Sequence, residues 1–114
     1  MIIAPKTIII SGTSRNVGKT TFACQQIAKY KNENPIAIKI SSHFHEQGMG
    51  VKLISFSNNY RVYQQIEIKS NKDSALFLKS GAKAVYYLEA KDEFILEALS
   101  SISDKLDFFA ETTK

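Results

Sequence analysis

Residues Ser11–Thr21, SGTSRNVGKTT, lie between an apolar run and a segment with helical periodicity. The preceding run, KTIIIS (Lys6–Ser11), is short, continuous and rich in β-branched residues, which is typical of a buried parallel strand. After the stretch, Ala23, Ile27 and Tyr30 recur at helical spacing. A strand, a glycine-containing loop and a helix in this order point several backbone N–H groups and the positive end of the helix dipole at one place. The stretch therefore predicts a phosphate-binding loop.

The spacing inside this stretch departs by one residue from the usual phosphate-loop pattern. The pattern G-x-x-x-x-G-K-[ST] requires a glycine where Thr13 stands, and the glycine is Gly12 instead. Gly18 lets the backbone approach phosphates because it has no Cβ. Lys19 reaches the β- and γ-phosphates as the predicted catalytic charge, and the Thr20 hydroxyl is a predicted Mg²⁺ ligand. A chance Gly-Lys-Thr at a helix start is the alternative, which the strand before it and the helix after it disfavour.

The predicted nucleotide-binding residues extend beyond this tripeptide. They are Gly12, Thr13, Ser14, Arg15, Asn16, Val17, Gly18, Lys19, Thr20, Thr21 and Lys39. Arg15 lies within the loop, in reach of a γ-phosphate or of a second ligand. Lys39 lies near the end of the next apolar run and so near the crevice in which open α/β sheets bind ligands. A solvent-exposed lysine at a strand end is the alternative for Lys39. No strong candidate for a catalytic base is present, so we expect slow hydrolysis at most.

The composition indicates one globular domain over residues 1–114. An apolar fraction of 44% argues against disorder, and no run of about 18 apolar residues predicts a membrane span. The single cysteine, Cys24, fits a reducing cytoplasm, and MIIAPKTIII lacks the pattern of a secretory leader. The 15 basic and 11 acidic residues give a net charge of +4 on scattered lysines, which suits an anionic ligand and disfavours nucleic acid.

The whole pattern predicts a three-layer α/β fold like that of P-loop NTPases, with a mostly parallel sheet and a β-hairpin insertion. The predicted elements are strands over 6–11, 36–41, 51–57, 60–69 and 82–89, helices over 19–31, 72–81 and 91–103, and a last apolar run over 105–111. An antiparallel hairpin is expected to turn at Asn58-Asn59, at the edge of the sheet, because asparagine tolerates positive φ. Apolar and polar residues alternate in the second strand of the hairpin. This alternation predicts that one face carries Tyr60, Val62, Ile66 and Ile68. Gly81 is expected at the C-terminal cap of the second helix.

The loop GTSRNVGKTT resembles those of dethiobiotin synthetases, of the amidotransferases that act on cobyrinic acid, and of the MobB family. Several of these proteins carry a G-T-x-x-x-V-G-K-T pattern with the same gap. They belong to the branch of P-loop proteins that includes the MinD/ParA ATPases. The signature lysine of the MinD/ParA loop falls at Ser14 here, so the resemblance does not extend to their nucleotide-sandwiched dimer.

Three further stretches resemble MobB, the molybdopterin-guanine dinucleotide biosynthesis adaptor. AIKISSHFH is similar to the family's I-K-H-x-x-H strand and matches Lys39 and His43. KDSALFLKSGAKAVYYLEA is similar to the segment around K-D-[ST] and A-G-A, matching Lys72–Ser74 and, less closely, Ser80–Ala82. LDFFAE resembles the strand that ends in the family's acidic residue near Mg²⁺, which is Glu111.

The resemblance to MobB implies a Mg²⁺-dependent protein that binds GTP or ATP, hydrolyses it slowly and serves as an adaptor in molybdenum-cofactor maturation. It also implies that Thr20 and Glu111 hold the Mg²⁺. An ATP-dependent ligase resembling dethiobiotin synthetase is one alternative, and a non-catalytic phosphate-binding scaffold is another. A second anionic small molecule is an expected partner. A homodimer is also expected, because a short open sheet leaves its edges exposed.

Two features depart from the MobB pattern. The interval between His43 and Lys72–Ser74 is longer than the family's because it holds the hairpin, and the chain ends three residues after Glu111, where the family continues. We therefore expect a reduced relative of the family or an incomplete domain. For Glu111, the alternative to a role as a Mg²⁺ ligand is that it belongs to a frayed chain end. Loop histidines are expected at His43 and His45, since no further ligands complete a Zn²⁺ site. Cys24 is expected in the core.

Overall fold

A computed structural model describes residues 2–4, 7–10, 17–42, 44, 50–69 and 72–106 of an α/β structure. Its main elements are β1 (Ile2–Ala4), β2 (Thr7–Ile10), α1 (Val17–Lys29), β3 (Ile36–Ser41), β4 (Val51–Phe56), β5 (Tyr60–Gln65), α2 (Asp73–Lys79), β6 (Ala84–Ala90) and α3 (Ile95–Ser101). Short 3₁₀ turns cover Lys31–Glu33, Asp92–Phe94 and Ser103–Lys105. Most of the last apolar run, from residue 107 onward, lies outside the described residues. No helix in the described ranges has the length and apolar character needed to cross a membrane.

The strands form one mixed six-stranded sheet in the order β1-β2-β3-β6-β5-β4. Parallel pairing joins β2 to β3 and β3 to β6, whereas the other three pairings are antiparallel. The prediction of a mostly parallel sheet is therefore wrong. The hairpin adds two antiparallel strands beside β6, and the N-terminal residues Ile2–Ala4 add a third beside β2. Strand β1 had no signal of its own, since three apolar residues fit several conformations equally well.

The first crossover agrees with its sequence pattern. β2, α1 and β3 follow one another, and the two strands pair in parallel with Ile10 beside Lys39. The helix begins at Val17, two residues before the predicted start. It ends at Lys29, and Asn34, which has a φ of 54°, closes the short 3₁₀ turn that follows. This strand–helix–strand unit carries the Gly-Lys-Thr tripeptide at its first turn.

Helices cover both faces of the sheet, because successive strand residues point to opposite sides. On one face α3 covers an apolar cluster, whose buried members are Ile36, Ile38, Ile40, Tyr60, Val62, Tyr86, Leu88, Ala90, Ala98, Leu99, Ile102 and Leu106. On the other, here named the α1 face, α1 and α2 cover a smaller cluster of Ala23, Ile27, Ala37, Phe77, Ala82 and Val85. Cys24, expected in the core, is half-buried and packs against the margin of this second cluster.

The predicted hairpin is present, and its outer strand β4 forms one edge of the sheet. The chain turns between Phe56 and Tyr60, where the Asn59 N–H donates to Ser57 Oγ at 3.0 Å. Neither Asn58 nor Asn59 has a positive φ, so the position of the turn is as predicted but the conformational reason given for it is wrong. Ser55 Oγ donates to Ser101 Oγ at 2.8 Å and so joins the hairpin to α3. The register shifts between Leu53 and Ser55, as in a β-bulge.

The alternation predicted for the second hairpin strand stops at Gln65. Tyr60 and Val62 are buried as expected, but Ile66 is 49% and Ile68 53% exposed. The cause is Gly50, whose carbonyl accepts the N–H groups of both Ile66 and Glu67 and so ends the strand. Gly50 has a φ of +81°, and a Cβ placed on it would lie 2.5 Å from the Glu67 carbonyl oxygen. Only glycine fits this position without a shift of the backbone.

The second helix ends as its sequence predicts. Gly81, with a φ of +115°, follows α2 in the left-handed region, and its N–H donates to the Leu78 carbonyl. Phe77 on this helix is fully buried, which contributes roughly 1.5–3 kcal/mol to stability. That packing fixes α2 against β6 and so fixes the position of its first residue, Asp73.

Candidate functional site

The predicted phosphate loop lies between the two elements that its motif requires. β2 ends at Ile10 and α1 begins at Val17, whereas residues 11–16, which include Gly12, Thr13, Ser14, Arg15 and Asn16, lie outside the described residues. Gly18, Lys19 and Thr20 belong to the first turn of α1. That turn carries no acidic residue, so no side chain within it opposes the positive end of the helix dipole. The free backbone N–H groups of a helix's first turn, at its positive end, are the kind of group that binds anions.

Thr20 and Thr21 differ in exposure. Thr20 is half-buried and Thr21 exposed, and both lie within α1. A half-buried hydroxyl one residue after Lys19 suits the magnesium-ligand position of a phosphate loop. Glu111, the other predicted magnesium ligand, lies outside the described residues, as do His43 and His45.

Lys39 is held in place by an ion pair. Its Nζ donates to Asp73 Oδ2 at 2.6 Å, and the two side chains are 26% and 36% exposed. The ammonium also lies 5.6 Å from the centre of the Tyr87 ring, within the range of a cation–π contact. Lys39 and Asp73 come from two segments that are far apart in the sequence, and the fold brings them into contact. Lys39 therefore forms a specific ion pair, unlike the solvated strand-end lysine that was its alternative.

Tyr87 connects Lys39 to the neighbouring strands. It pairs with Lys39 in the register of β3 and β6, and the Tyr63 ring meets its ring edge-on with centres 6.4 Å apart. Burial raises the pKa of the Tyr87 phenol above its usual value, and the negative charges of Glu89 and Asp73 raise it further. A hydrogen bond with the Ser41 side chain acts in the opposite direction and lowers this pKa. The phenol is therefore neutral at physiological pH and hydrogen-bonded to the Ser41 side chain.

Glu89 is a buried carboxyl group that the sequence analysis missed. None of its side chain is exposed, although it lies near the end of β6. Its position pairs with Ser41 on β3 and with Arg61 on β5. The available signal was an acidic residue inside the otherwise apolar run AVYYLEA, since a lone carboxylate in a buried strand needs polar surroundings.

These residues form one group, here named the Lys39 cluster: Lys39, Ser41, Asp73, Tyr87 and Glu89. The strand members share the α1 face with Ala37 and Val85, because they are separated from them by even numbers of residues. They also lie toward the carboxyl ends of the parallel strands, where open α/β sheets bind ligands. The cluster and the amino end of α1 therefore lie toward the same edge of the sheet.

A second hydrogen-bonded pair holds the start of α2. Ser74 Oγ donates to Gln65 Oε1 at 2.7 Å, and Gln65 Nε2 donates to the Glu67 carbonyl at 2.7 Å. Both side chains are buried, so each bond replaces water that the groups have lost. Ser74 is thus a positioning residue, since it ties α2 to β5 and fixes Asp73 beside Lys39.

No family model matches this chain, and no curated protein or solved structure matches it at a significant level. Within the described ranges, no group of three His, Cys, Asp or Glu residues is placed to hold a metal ion by itself. At one end of the edge, the first turn of α1 has free backbone N–H groups, and its sequence includes Lys19. The arrangement offers a paired lysine, a neutral phenol and a buried carboxyl group in the middle. Such a site can bind an anion and orient a polar group beside it.

Proposed function

We propose that this protein binds a nucleoside triphosphate, GTP or ATP, with Mg²⁺ through a P-loop and hydrolyses it slowly. The observation that carries the proposal is the order of β2 and α1. β2 pairs in parallel with β3, and α1, the next element along the chain, holds Gly18, Lys19 and Thr20 in its first turn. A phosphate loop requires this structural context, and a chance tripeptide does not.

Catalysis by such a site is electrostatic. The amino end of α1 and the Lys19 ammonium would offset the negative charge that develops on the phosphate oxygens. Mg²⁺, when bound, would neutralise further charge on these oxygens. The Thr20 hydroxyl and a carboxylate, Glu111 by the MobB resemblance, are the oxygen ligands that Mg²⁺ prefers. Lys39, one strand away from β2, would contact the nucleotide or a second anionic ligand.

The resemblance to MobB supports a role as an adaptor in molybdenum-cofactor maturation. Its support is the order in which the loop, Lys39 and Lys72–Ser74 follow along the chain. The contact between Lys39 and Asp73 adds a structural reason for two of these motifs to occur together. A cytoplasmic location is consistent with this role and with the single cysteine.

Isothermal titration calorimetry with Mg·GTP and Mg·ATP tests the proposal. The parent protein should bind at least one of them, and Lys19→Ala should weaken binding at least tenfold because charge-assisted hydrogen bonds are lost. Lys29→Ala is a matched control, since Lys29 lies in the last turn of the same helix. It should leave the affinity unchanged. Absence of binding by the parent protein would refute the proposal.

Turnover measurements separate the alternative functions. Slow hydrolysis without a second substrate supports the proposed activity. ATP turnover that requires a small carboxylate favours a ligase resembling dethiobiotin synthetase. Nucleotide binding without turnover under any condition favours a phosphate-binding scaffold.

A further inference from the structure

Strand β4 (Val51–Phe56) forms an edge of the sheet that the structure describes, and it carries exposed apolar side chains. Leu53 is 44% and Phe56 69% exposed, whereas Val51 is half-buried. The only charged residue of the strand is Lys52. Soluble proteins usually protect a strand edge with charges or with a covering segment, because its backbone groups can pair with another strand. An edge this apolar therefore indicates a surface for strand pairing.

The exposed apolar side chains of β4 lie on the α1 face. Residues that pair across a ladder share one face of the sheet, and successive residues alternate between faces. Val51, Leu53 and Phe56 pair with the residues of β5 that alternate with Tyr60 and Val62. Since Tyr60 and Val62 pack on the α3 side, the three β4 residues face the other way. Helix α2 covers β6 and β5 on this face, and β4 lies beyond β5.

The polar residues of β4 face α3 instead. Ser55 pairs with the buried Val62 and donates its hydrogen bond to α3. Lys52 pairs with Gln64, two residues along β5 from Val62 and so on the same face. Ile54, at the shift in register, packs against the α3 cluster. The strand is therefore apolar on its α1 side and carries its polar side chains on the α3 side.

The backbone groups of the apolar residues point away from β5. In an antiparallel ladder, positions that bond to one neighbouring strand alternate with positions that point to the other side. The Gly50 carbonyl accepts the Ile66 N–H. The Ser57 N–H donates to the Tyr60 carbonyl, so Gly50 and Ser57 both bond toward β5. Counting along the register from both ends gives three outward positions, which are Val51, Leu53 and Phe56.

We propose that two copies of this chain pair through β4 in antiparallel orientation, about a two-fold axis at Leu53. In this register Leu53 lies opposite Leu53 of the second copy, and Phe56 lies opposite its Val51. On the α3 side, Lys52 lies opposite Ser55 of the second copy. Each outward-pointing residue thus meets an outward-pointing residue, as the hydrogen-bonded pairs of a ladder require. Because apolar side chains meet apolar ones and polar side chains meet polar ones, the strand is complementary to itself.

Other registers of β4 with a second copy are less favourable. An axis at Lys52 places two ammonium groups directly opposite each other, which is destabilising. An axis at Ser55 places Val51 opposite the hairpin turn of the second copy rather than opposite its strand. The axis at Leu53 therefore pairs the greatest length of the strand, and it joins the two six-stranded sheets edge to edge.

Light scattering after size-exclusion chromatography, at micromolar to millimolar protein, tests this pairing. The parent protein should reach the mass of two chains as its concentration rises. Leu53→Lys should keep the mass of one chain throughout, because two ammonium groups would then lie opposite each other. Leu96→Lys is the matched control, since Leu96 is 70% exposed on α3, and it should behave like the parent. Circular dichroism checks that the exposed substitutions leave the fold intact.

A charge swap tests the position of the axis. Leu53→Glu should also have the mass of one chain, whereas a mixture of Leu53→Lys and Leu53→Glu should recover the mass of two. The reason is that the axis at Leu53 places the lysine opposite the glutamate. A parent with the mass of one chain at every concentration overturns the proposal, as does a dimer that survives either single substitution. A mixture that stays monomeric overturns the register. Nucleotide is absent from these measurements, so their outcome is independent of the proposed function.

Discussion

The two ends of the proposed ligand edge are built in different ways. At the β2 end, the residues of the proposed phosphate loop are contiguous in the sequence, and the roles proposed for them depend on local backbone geometry. At the β6 end, the Lys39 cluster assembles residues from β3, α2 and β6, which are far apart in the sequence. The first kind of site is visible as a motif, whereas the second depends on strand order. Because of this difference, mutations at the two ends are expected to differ in their effects on stability and on ligand binding.

A pair of glycine substitutions should show the largest contrast. Gly50→Ala should destabilise the protein by roughly 1–3 kcal/mol or more, since alanine disfavours a φ of +81° and its Cβ would meet the Glu67 carbonyl. Gly18→Ala lies within α1 and should change stability little, or raise it by up to about 1 kcal/mol through helix propensity. Its expected effect is weaker nucleotide binding. Urea unfolding and calorimetry measure the two quantities.

Equal loss of stability in the two glycine variants would contradict this contrast. It would mean that the loop end is also specified by tertiary packing.

Removing the Ser74 hydroxyl should have the next largest effect. Ser74→Ala takes the donor away from the buried Gln65 Oε1 and should cost about 1–3 kcal/mol in unfolding free energy. Ser100→Ala, an exposed serine in α3, should stay within about 0.5 kcal/mol. Urea unfolding compares the two variants. A Ser74→Ala protein as stable as the control would show that α2 is held by Phe77 packing alone.

Breaking the Lys39–Asp73 ion pair should affect ligand binding more than folding. Because both side chains are partly exposed, either Lys39→Met or Asp73→Asn should change stability by less than about 1 kcal/mol. Lys39→Met should weaken nucleotide binding, and Asp73→Asn should preserve or strengthen it by releasing the Lys39 ammonium. Calorimetry on both variants measures the difference. Equal weakening by the two substitutions would show that the intact pair, rather than the lysine, contacts the ligand.

The smallest effect concerns alkaline pH. The pKa of Tyr87 is raised above its ordinary value of 10.0 in the folded protein. The neutral phenol therefore contributes stability below about pH 10, and this contribution is lost as the pH rises through the folded-state pKa. Tyr87→Phe should remove a late step from the ultraviolet titration of tyrosine and flatten the decline in stability above that pH. An unchanged titration curve would place the late step on Tyr86, whose pKa burial also raises.

Several elements could be predicted because their signals are local. The apolar β-branched run IAIKIS predicted β3 with its observed bounds, and the Asn58-Asn59 turn predicted the hairpin. The Gly81 cap followed from the conformational freedom of glycine at a helix end. Which strands pair with each other was harder to predict from the sequence, because each of these strands could lie beside several others. The hairpin pairs with β6, and β1 pairs with β2, both in antiparallel orientation. These pairings make the sheet mixed, whereas it was predicted to be mostly parallel.

The sequence by itself determined the strand–loop–helix context around SGTSRNVGKTT, since its spacing, its glycines and the periodicity beside it are properties of adjacent residues. It also singled out Lys39 as a candidate. Only the tertiary structure decided that Lys39 contacts Asp73 and Tyr87, that Glu89 is buried beside them, and that Arg61 stacks on Phe44. The physical reason is that these contacts depend on the order of β3, β6 and β5 in the sheet. That order results from packing against α1, α2 and α3, over separations along the chain that no local pattern encodes.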